Sequence, residues 1–302
     1  MLFPPGIRTI GLFSPAFAPS QEEYRRACAL LTDEGYRLFR ARNTPQAQRY
    51  LAASDQDRAD EFRELAANPK IDLLLATRGG YGCARILPLI RWQDLPHRNP
   101  PLPVVGYSDL TALHLAAASQ GRQGHVCGPM LCSTLGNLQR QPVLRKNLAS
   151  LLAALSPRSR QLLPDDAKLT IIRPGTATGP LFPANLTVLE SLLGTQWLPD
   201  FSGAILALED VGEAAYRIDR SLNHLRQVGI LDKLGGLIFG DFSDCEHEEY
   251  LPEILQEYAK LIHGPVLGGL PFGHGDFSIS LPVGRTATLT TEPLSLKTAP
   301  RD

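Results

Sequence analysis

Residues 103–113 place a lone serine where a short apolar strand turns directly into an apolar helix. The stretch reads Pro-Val-Val-Gly-Tyr-Ser-Asp-Leu-Thr-Ala-Leu, so Ser108 follows Gly106 and stands just ahead of the helical pattern. A serine on such a sharp turn projects its hydroxyl past the edge of the sheet. The backbone N–H groups of the new helix then point toward any anion that forms beside it. This geometry suits a nucleophile.

Two observations favour a more ordinary role for Ser108. Serine is common at helix N-termini, where its side chain accepts hydrogen bonds from free backbone N–H groups. In addition, Leu110 stands where the G-x-S-x-G turn of α/β-hydrolases has its second glycine. A catalytic role for Ser108 therefore requires a base and an orienting acid elsewhere in the chain.

The chain has seven histidines, and His274 is the strongest candidate for the base. It lies between Gly273 and Gly275, directly after an apolar segment. Flanking glycines permit an unusual backbone conformation and leave the approach to the imidazole clear of side chains. His125, which precedes a predicted strand, stays open as an alternative.

The orienting acid is predicted at the end of another strand. Residues 204–208 form a buried-strand pattern that ends in Glu209 and Asp210. A carboxylate at such a place can be partly desolvated and still reach an imidazole N–H. Both acids could simply be the first polar residues after a strand. Asp210 suits the cap of a helix that begins near Glu213, which leaves Glu209 as the predicted orienting acid.

The glycine-rich loop 78–82 has two candidate uses. Its backbone N–H groups could form an oxyanion hole together with the N–H of Asp109. Alternatively the loop could cradle a phosphate, but neither G-x-G-x-x-G nor G-x-x-x-x-G-K-[ST] is present. The acidic stretch 241–247 lacks paired histidines or cysteines at metal-ligand spacing, so we expect a solvated loop there and no metal.

Composition narrows the class of protein. The chain has 302 residues, 43% of them hydrophobic and 20% charged, with a formal net charge of −1. Such a balance gives no field that attracts nucleic acid or an anionic membrane, and no apolar run is long enough to span one. The five scattered cysteines are expected to be reduced and buried. We interpret residues 7–13 as the first buried strand and not as a signal segment, and we expect a cytoplasmic protein.

The pattern of elements predicts an α/β fold with two domains. From residue 7 to about 130, short apolar strands alternate with helical patterns, which is typical of a doubly wound parallel sheet. Ligands bind such sheets at the carboxyl ends of the strands, where both Ser108 and the loop 78–82 are expected. A polar, basic stretch at 156–160 suggests a linker. We therefore predict one domain over residues 1–150 and a second α/β domain over residues 165–302.

Several separate motifs occur in an order that resembles the murein tetrapeptide LD-carboxypeptidases, a serine peptidase family that includes microcin C immunity peptidases. The resemblance extends over nearly the whole chain. At one place the chain departs from it, because many relatives have Gly-Gly where residues 183–184 are Pro-Ala, ahead of Asn185. The motifs are Ala76–Gly82, Gly106–Asp109, Gly128–Met130, Asn185-Leu186 with Leu193–Thr195, Leu208–Asp210, Arg217–Arg220 and Phe272–His274.

The resemblance implies a role for each candidate residue. Ser108 would be the nucleophile, with His274 and Glu209 as its relay partners. Backbone N–H groups near Gly80 and Asp109 would form the oxyanion hole. The family fold implies a Rossmann-like parallel-sheet domain followed by a smaller mixed α/β-barrel-like domain. A homodimer without metal or cofactor is expected.

The leading hypothesis is a serine carboxypeptidase that releases the terminal D-alanine of a murein tetrapeptide. Arg78, Tyr81 and Arg220 are candidates for binding this peptide or muropeptide substrate. A second hypothesis is a microcin C-type immunity peptidase, which would need an aromatic platform for a nucleobase, and the chain has only Trp92 and Trp197. A third, from another class, is a Rossmann protein that binds a small ligand without catalysis.

Overall fold

The computed structural model describes residues 2–40, 47–136 and 141–301. Within them lies a six-stranded sheet whose strands are parallel except at one edge, where the last strand runs antiparallel to its neighbour. The predicted parallel sheet is confirmed. From edge to edge its strands are β11 (Leu281–Pro282), β5 (His125–Cys127), β4 (Val104–Gly106), β3 (Leu73–Ala76), β1 (Thr9–Phe13) and β2 (Arg37–Phe39).

Helices cover both faces of this sheet because alternate strand residues point to opposite sides. Along β3, Leu73 and Leu75 pack in one apolar cluster, whereas Leu74 and Ala76 pack in another. Ser20 is the N-cap of the first helix and begins it with a capping box, since its hydroxyl accepts a hydrogen bond from the N–H of Glu23. The helices are α1 (Gln21–Asp33), α2 (Asp55–Ala67), α3 (Cys83–Ile86), α4 (Leu110–Ser119) and α5 (Gln141–Leu155), with a π-helical turn at Leu131–Leu135.

A second sheet of seven strands follows, and it curls into a half-barrel. Its central strands are parallel and its outer pairs antiparallel, so the expected mixed α/β architecture is confirmed. The strands in order are β13 (Leu294–Thr298), β12 (Thr286–Thr291), β7 (Thr176–Asn185), β8 (Ile205–Val211), β9 (Gly236–Ser243), β10 (Val266–Gly268) and β6 (Thr170–Arg173). Its helices are α6 (Leu186–Glu190), α7 (Ala215–Gln227) and α8 (Leu251–Ala259).

The two sheets are joined by more than one segment. Strand β11 comes from the end of the chain, yet it pairs with β5 of the first sheet through Leu281 and Pro282. One apolar cluster contains residues of both sheets, among them Leu74 of β3 and Leu208 of β8. The six-stranded sheet therefore contains residues from both predicted domains, and the division at residues 150 and 165 stays a prediction.

Some element boundaries differ from the sequence-based expectation. The strand predicted to follow His125 includes that residue and ends at Cys127, and the backbone then forms the π-helical turn, which no local pattern indicated. The helix predicted to begin near Glu213 spans Ala215–Gln227. Among the residues described, no helix has the length and apolar character that a membrane crossing requires.

Candidate active site

Ser108 adopts a strained backbone conformation between β4 and α4. Its φ of 65° lies in the left-handed region, which is uncommon for a residue with a side chain and costs on the order of 1–3 kcal/mol. The N-cap of α4 is Asp109, and no side chain caps the helix. The interpretation of Ser108 as a helix cap is therefore wrong. In the part of the chain that the structure describes, its hydroxyl makes no hydrogen bond, so it is open to a ligand.

Gly106 makes this sharp turn possible. A Cβ on Gly106 would overlap the side chain of Leu110 and lie 3.0 Å from Cβ of Ala76 on the neighbouring strand. Because glycine has no side chain, α4 folds back against β4 directly after the turn. The close packing of strand, turn and helix is what holds Ser108 at the sheet edge.

The glycine loop lies against Ser108, as its predicted role in an oxyanion hole requires. A Cβ placed on Gly79 would be 3.2 Å from Oγ of Ser108 and 3.5 Å from the backbone N of Asp109. Gly80 has a φ of 116°, and its backbone packs on the ring of Phe17. Neither the N–H of Gly80 nor that of Asp109 donates a hydrogen bond to another described residue. Among the described residues, both N–H groups thus remain available to a ligand, one of them next to Ser108 in sequence and the other in the loop whose Gly79 lies against it.

Buried polar contacts hold the glycine loop 78–82 in place. The Asp109 carboxylate accepts a 2.8 Å hydrogen bond from the N–H of Cys83, at the start of α3. Burial raises the pKa of Asp109, although that hydrogen bond works in the opposite direction. The fully buried Arg58 donates to the carbonyl of Gly82 at 2.9 Å and also to that of Pro15. These contacts make the loop part of the packed core.

Glu209 and His274 form the predicted pair. Nδ1 of His274 donates to Oε2 of Glu209 over 2.8 Å, and Glu209 at the end of β8 is only 2% exposed. Burial raises the pKa of Glu209, against the hydrogen bonds from His274 and Asn185. Burial lowers the pKa of His274, but the hydrogen bond and charge of Glu209 outweigh it and leave that pKa raised. With Nδ1 bound, Nε2 is the nitrogen available for proton transfer.

Asn185 orients the acid, a role that the sequence analysis missed. Its side-chain N–H₂ donates to Oε1 of Glu209 at 3.1 Å and to Oδ1 of Asp210 at 2.9 Å. Asp210 also accepts hydrogen bonds from the backbone N–H and the hydroxyl of Thr187. The predicted role of Asp210 as the cap of the helix near 213 is wrong, because the N-cap of α7 is Ala214.

Asp241 is a further carboxylate beside the pair. The expectation that it lies in a solvated loop is wrong, because it belongs to strand β9 and is partly buried. Asp241 lies near His274 because its backbone N–H donates a hydrogen bond to the carbonyl of Phe272, two residues before the histidine. Burial, together with the charge of Glu209, raises the pKa of Asp241 to about 6, although the charge of His274 works in the opposite direction. The imidazole therefore lies in a distinctly acidic environment.

A cavity of about 100 Å³ opens beside this pair. The ring of Tyr107 meets the ring of His274 edge-on, with centroids 5.1 Å apart. No hydrogen bond joins Ser108 to His274 in the described part of the chain, so the ring contact of the neighbouring Tyr107 connects the two loops. Residues that line the cavity include Tyr107, Gly128, Ser133, Asn147, Glu209 and His274.

The three substrate-binding candidates lie outside that cavity. The Arg78 guanidinium lies over the ring of Phe17, 5.7 Å from its centroid, next to the glycine loop. Tyr81 is 46% exposed, and its ring is 6.1 Å from that of Tyr50. Arg220 lies on the exposed side of α7, over the ring of Tyr216. The structure thus places Arg78 and Tyr81 near the Ser108 turn but does not bring Arg220 there.

His125, the alternative base, is buried behind the sheet edge. Its Nδ1 lies 2.9 Å from Nδ1 of His114, whose Nε2 donates to the carbonyl of Gly106. Burial lowers the pKa of His114 to about 4, and it lowers that of His125 well below its ordinary value. This neutral pair supports the turn from within, and among the residues that the structure describes neither histidine bonds a carboxylate.

The acidic stretch 241–247 carries no metal site in the residues that the structure covers. His247 pairs with the carboxylates of Glu246 and Glu249 on the surface. Over the described ranges, no group of three histidine, cysteine or acidic side chains is arranged to hold a metal ion. The cysteines of the chain are buried and unpaired.

Comparison with known proteins finds relatives that are named as murein peptide carboxypeptidases. A murein tetrapeptide carboxypeptidase of Pseudomonas aeruginosa is 32% identical over 93% of this chain and 92% of its own length. The crystal structure of a muramoyltetrapeptide carboxypeptidase from Oxalobacter formigenes superposes with a TM-score of 0.78 at 29% identity, covering 97% of this chain and 99% of that one. MccF bound to glutamyl sulfamoyl guanosine shares the fold, with a TM-score of 0.89 at 21% identity over 98% of this chain and 97% of that one.

Family models cover both halves of the chain. The model described as the LD-carboxypeptidase N-terminal domain matches residues 10–127, and the model described as the C-terminal domain matches residues 178–289. The first range contains Ser108 and the glycine loop, and the second contains Glu209 and His274. With these matches and the relatives above, the chain belongs to the S66 family of LD-carboxypeptidases.

Proposed function

We propose that this protein is a serine carboxypeptidase that hydrolyses an L,D amide bond and releases the terminal D-alanine of a murein tetrapeptide. The observation that carries the proposal is the 2.8 Å hydrogen bond between His274 and Glu209 of the second sheet, since the His274 ring contacts Tyr107, the neighbour of the strained Ser108 in the first sheet. The named activity of the relative from Pseudomonas aeruginosa supports the choice of substrate.

In the proposed mechanism, Nε2 of His274 removes the proton of Ser108 as Oγ attacks the peptide carbonyl. Glu209 stabilises the imidazolium that results. The open N–H groups of Gly80 and Asp109 stabilise the oxyanion, and one such donor is worth about 3 kcal/mol of barrier. Because catalytic hydrogen bonds often tighten only in the substrate complex, Ser108 and His274 need to come together when the peptide binds.

Two steps follow, which are collapse of the tetrahedral intermediate and hydrolysis of the acyl-enzyme. The imidazolium of His274 gives its proton to the leaving amine of D-alanine, and the C–N bond breaks to leave an ester on Ser108. A water molecule, deprotonated by the same imidazole, attacks this ester and restores the free hydroxyl. The carboxylate of the leaving residue needs a cation, and Arg78 is the better candidate of the two arginines because it belongs to the same loop as Gly80.

The aromatic residues give less support to a nucleotide substrate. Trp92 is 4% exposed and packs 6.5 Å from Trp197, and neither lines the cavity beside His274. A platform built from these rings would lie away from the Glu209 pair. We therefore favour the tetrapeptide and keep the sulfamoyl nucleotide as a comparison substrate.

The test is release of D-alanine from murein tetrapeptide by the purified protein in the presence of EDTA. We expect the wild type to turn over the tetrapeptide with EDTA present and Ser108→Ala to lose this activity. Ser191→Ala is the control and should keep it, because the Ser191 hydroxyl donates to the nearby carbonyl of Val188. A serine-directed phosphonate should label the wild type but not Ser108→Ala. Undiminished turnover in Ser108→Ala would refute the mechanism. Cleavage of an aminoacyl sulfamoyl nucleotide but not of the tetrapeptide would favour the immunity function. If the protein cleaves neither substrate and the phosphonate does not label it, a binding protein is favoured.

We also infer a cytoplasmic homodimer of two-domain subunits, with domains over residues 1–150 and 165–302. The family resemblance supports the dimer, and the five buried, unpaired cysteines suit a reducing compartment. Sedimentation equilibrium on the purified chain should give twice the subunit mass of 33.0 kDa, and a mass of one subunit would refute the dimer.

A further inference from the structure

The segment that carries His274 rests directly on the acids of the second sheet. A Cβ placed on Gly273 would lie 2.9 Å from Oε2 of Glu209, and one on Gly275 would lie 3.0 Å from Oδ2 of Asp241. The hydroxyl of Ser278 accepts a 3.0 Å hydrogen bond from the N–H of Gly273 and so closes the segment on itself. Residues 273–278 therefore form a tight loop, which we call the histidine loop.

On its other side the histidine loop is bound by helix α5 of the first sheet. The side chain of Asn147 is 5% exposed, and its amide makes two hydrogen bonds to the backbone of the loop. Nδ2 donates to the carbonyl of Asp276 at 3.2 Å, and Oδ1 accepts from the N–H of Ser278 at 3.0 Å. One turn along α5, the hydroxyl of Ser150 accepts from the N–H of Ser280 at 2.8 Å.

We propose that Asn147 is a positioning residue that sets the place of His274 relative to Ser108. This inference rests on the proposed peptidase function. Ser108 and His274 share no hydrogen bond among the residues described, and they belong to different sheets, so contacts between the two units must align them. Asn147 makes such a contact within two residues of His274, and its amide uses a donor and an acceptor at once.

The proposal predicts that Asn147 affects the rate of the chemical step and not the binding of the peptide. Asn147 lines the cavity, but its amide is committed to the backbone of the histidine loop. If the loop shifts, the general base moves away from Oγ of Ser108, while the groups that hold the peptide stay in place. Misplacement by about 1 Å costs on the order of 100-fold in rate. The effect should therefore appear in kcat and not in KM.

The test compares Asn147→Leu and Asn147→Asp with the wild type on murein tetrapeptide. Asn147→Asp keeps the acceptor for Ser278 but loses the donor to Asp276. We expect kcat to fall on the order of 10- to 100-fold in each variant, with KM within about twofold. The matched control is Arg145→Gln, at an exposed position of α5, because the neighbouring Lys146 lies over the ring of Phe277 in the histidine loop. An unchanged kcat in both variants would overturn the proposal, as would an equal loss in the control.

A second readout does not depend on activity. The proton between Nδ1 of His274 and Glu209 should give a low-field NMR resonance when the imidazole is protonated, and His274→Ala assigns it. We expect this resonance to broaden or disappear in Asn147→Asp, while the other resonances keep the dispersion of a folded protein. Its persistence unchanged would overturn the proposal even if the tetrapeptide proved to be the wrong substrate. If Asn147→Leu does not fold, Asn147→Asp alone decides between these outcomes.

Discussion

Thr111, in the first turn of the helix that follows Ser108, accepts a 3.0 Å hydrogen bond on its hydroxyl from the backbone N–H of Asn185. Both residues are buried. Because the side chain of Asn185 donates to Glu209, and Glu209 holds His274, a continuous chain of polar contacts leads from the serine helix to the proposed base. The two halves of the candidate site are therefore joined through their supporting residues.

The contact from Thr111 predicts a loss in both stability and rate. Thr111→Val keeps the shape of the side chain but leaves the buried N–H of Asn185 without an acceptor, which costs about 1–3 kcal/mol. We expect the free energy of unfolding in urea to fall by that amount and kcat on the tetrapeptide to fall with it. Thr111→Ser retains the hydroxyl and should keep both near the wild-type values. Equal behaviour of the two variants would contradict this account.

Removing the charge of Glu209 should reduce turnover strongly without unfolding the protein. Glu209→Gln keeps the size of the side chain but cannot stabilise the imidazolium of His274, and it permits the wrong tautomer. By analogy with other triads we expect kcat to fall by roughly 10⁴-fold. Steady-state kinetics on the tetrapeptide provides the measurement. Glu253→Gln, on the exposed side of α8, is the control, and a Glu209→Gln enzyme with a comparable rate would exclude the triad.

Asp241 predicts a shift in the pH dependence of kcat/KM. The neutral form of His274 is the base, so activity falls on the acid side as the imidazole becomes protonated. Burial lowers the pKa of His274, but the hydrogen bond and charge of Glu209, with the charges of Asp210 and Asp241, raise it above its ordinary value. Asp241→Asn removes one charge that favours the imidazolium, so the pKa of His274 should decrease.

The acid limb of the Asp241→Asn profile should therefore move to lower pH, by about one unit. Above pH 6 the wild-type Asp241 is largely ionised, because its pKa is raised only to about 6. Asp244→Asn, on the same segment but exposed, should leave the profile unchanged. A limb that stays in place or moves to higher pH would show that Asp241 does not act on His274.

Gly79 predicts a steric effect on the nucleophile. A Cβ at this position would lie 3.0 Å from Cβ and 3.2 Å from Oγ of Ser108, closer than such contacts usually are. Gly79→Ala should therefore displace the hydroxyl and reduce labelling by a serine-directed phosphonate on the order of tenfold. Gly268→Ala, whose nearest neighbour is the flexible end of Ile172, is the control. Equal labelling rates in both variants would contradict this prediction.

The sequence predicted the parts of the fold that depend on local pattern. Strand β3 and helix α1 follow from periodicity and from the capping box at Ser20, and the strand-turn-helix around Ser108 follows from Gly106 and the apolar residues beside it. A strand end and two flanking glycines predict Glu209 and His274 as the acid and the base. Each of these signals lies within a few neighbouring residues, which is why a single sequence was enough.

The remaining contacts depend on partners far apart in the chain. Local sequence predicts Asp210 as the cap of the next helix. The fold instead brings Asn185 and Thr187 next to Asp210, and its carboxylate accepts their hydrogen bonds. Asn147 meets the histidine loop across about 130 positions, and nothing in its own surroundings indicated this. Such contacts follow from the packing of two sheets, which local periodicity does not describe.

The pairing of β11 with β5 affects any attempt to divide the protein. Leu281 and Pro282 cover the edge of β5 in the first sheet. A fragment that ends near residue 150 would leave that strand's backbone N–H and C=O groups unpaired, and an open strand edge recruits other chains into aggregates. We therefore expect the amino-terminal half, expressed alone, to precipitate, and to be rescued by co-expression with the carboxyl-terminal half that supplies β11. Proteolytic cleavage between the halves would leave them associated.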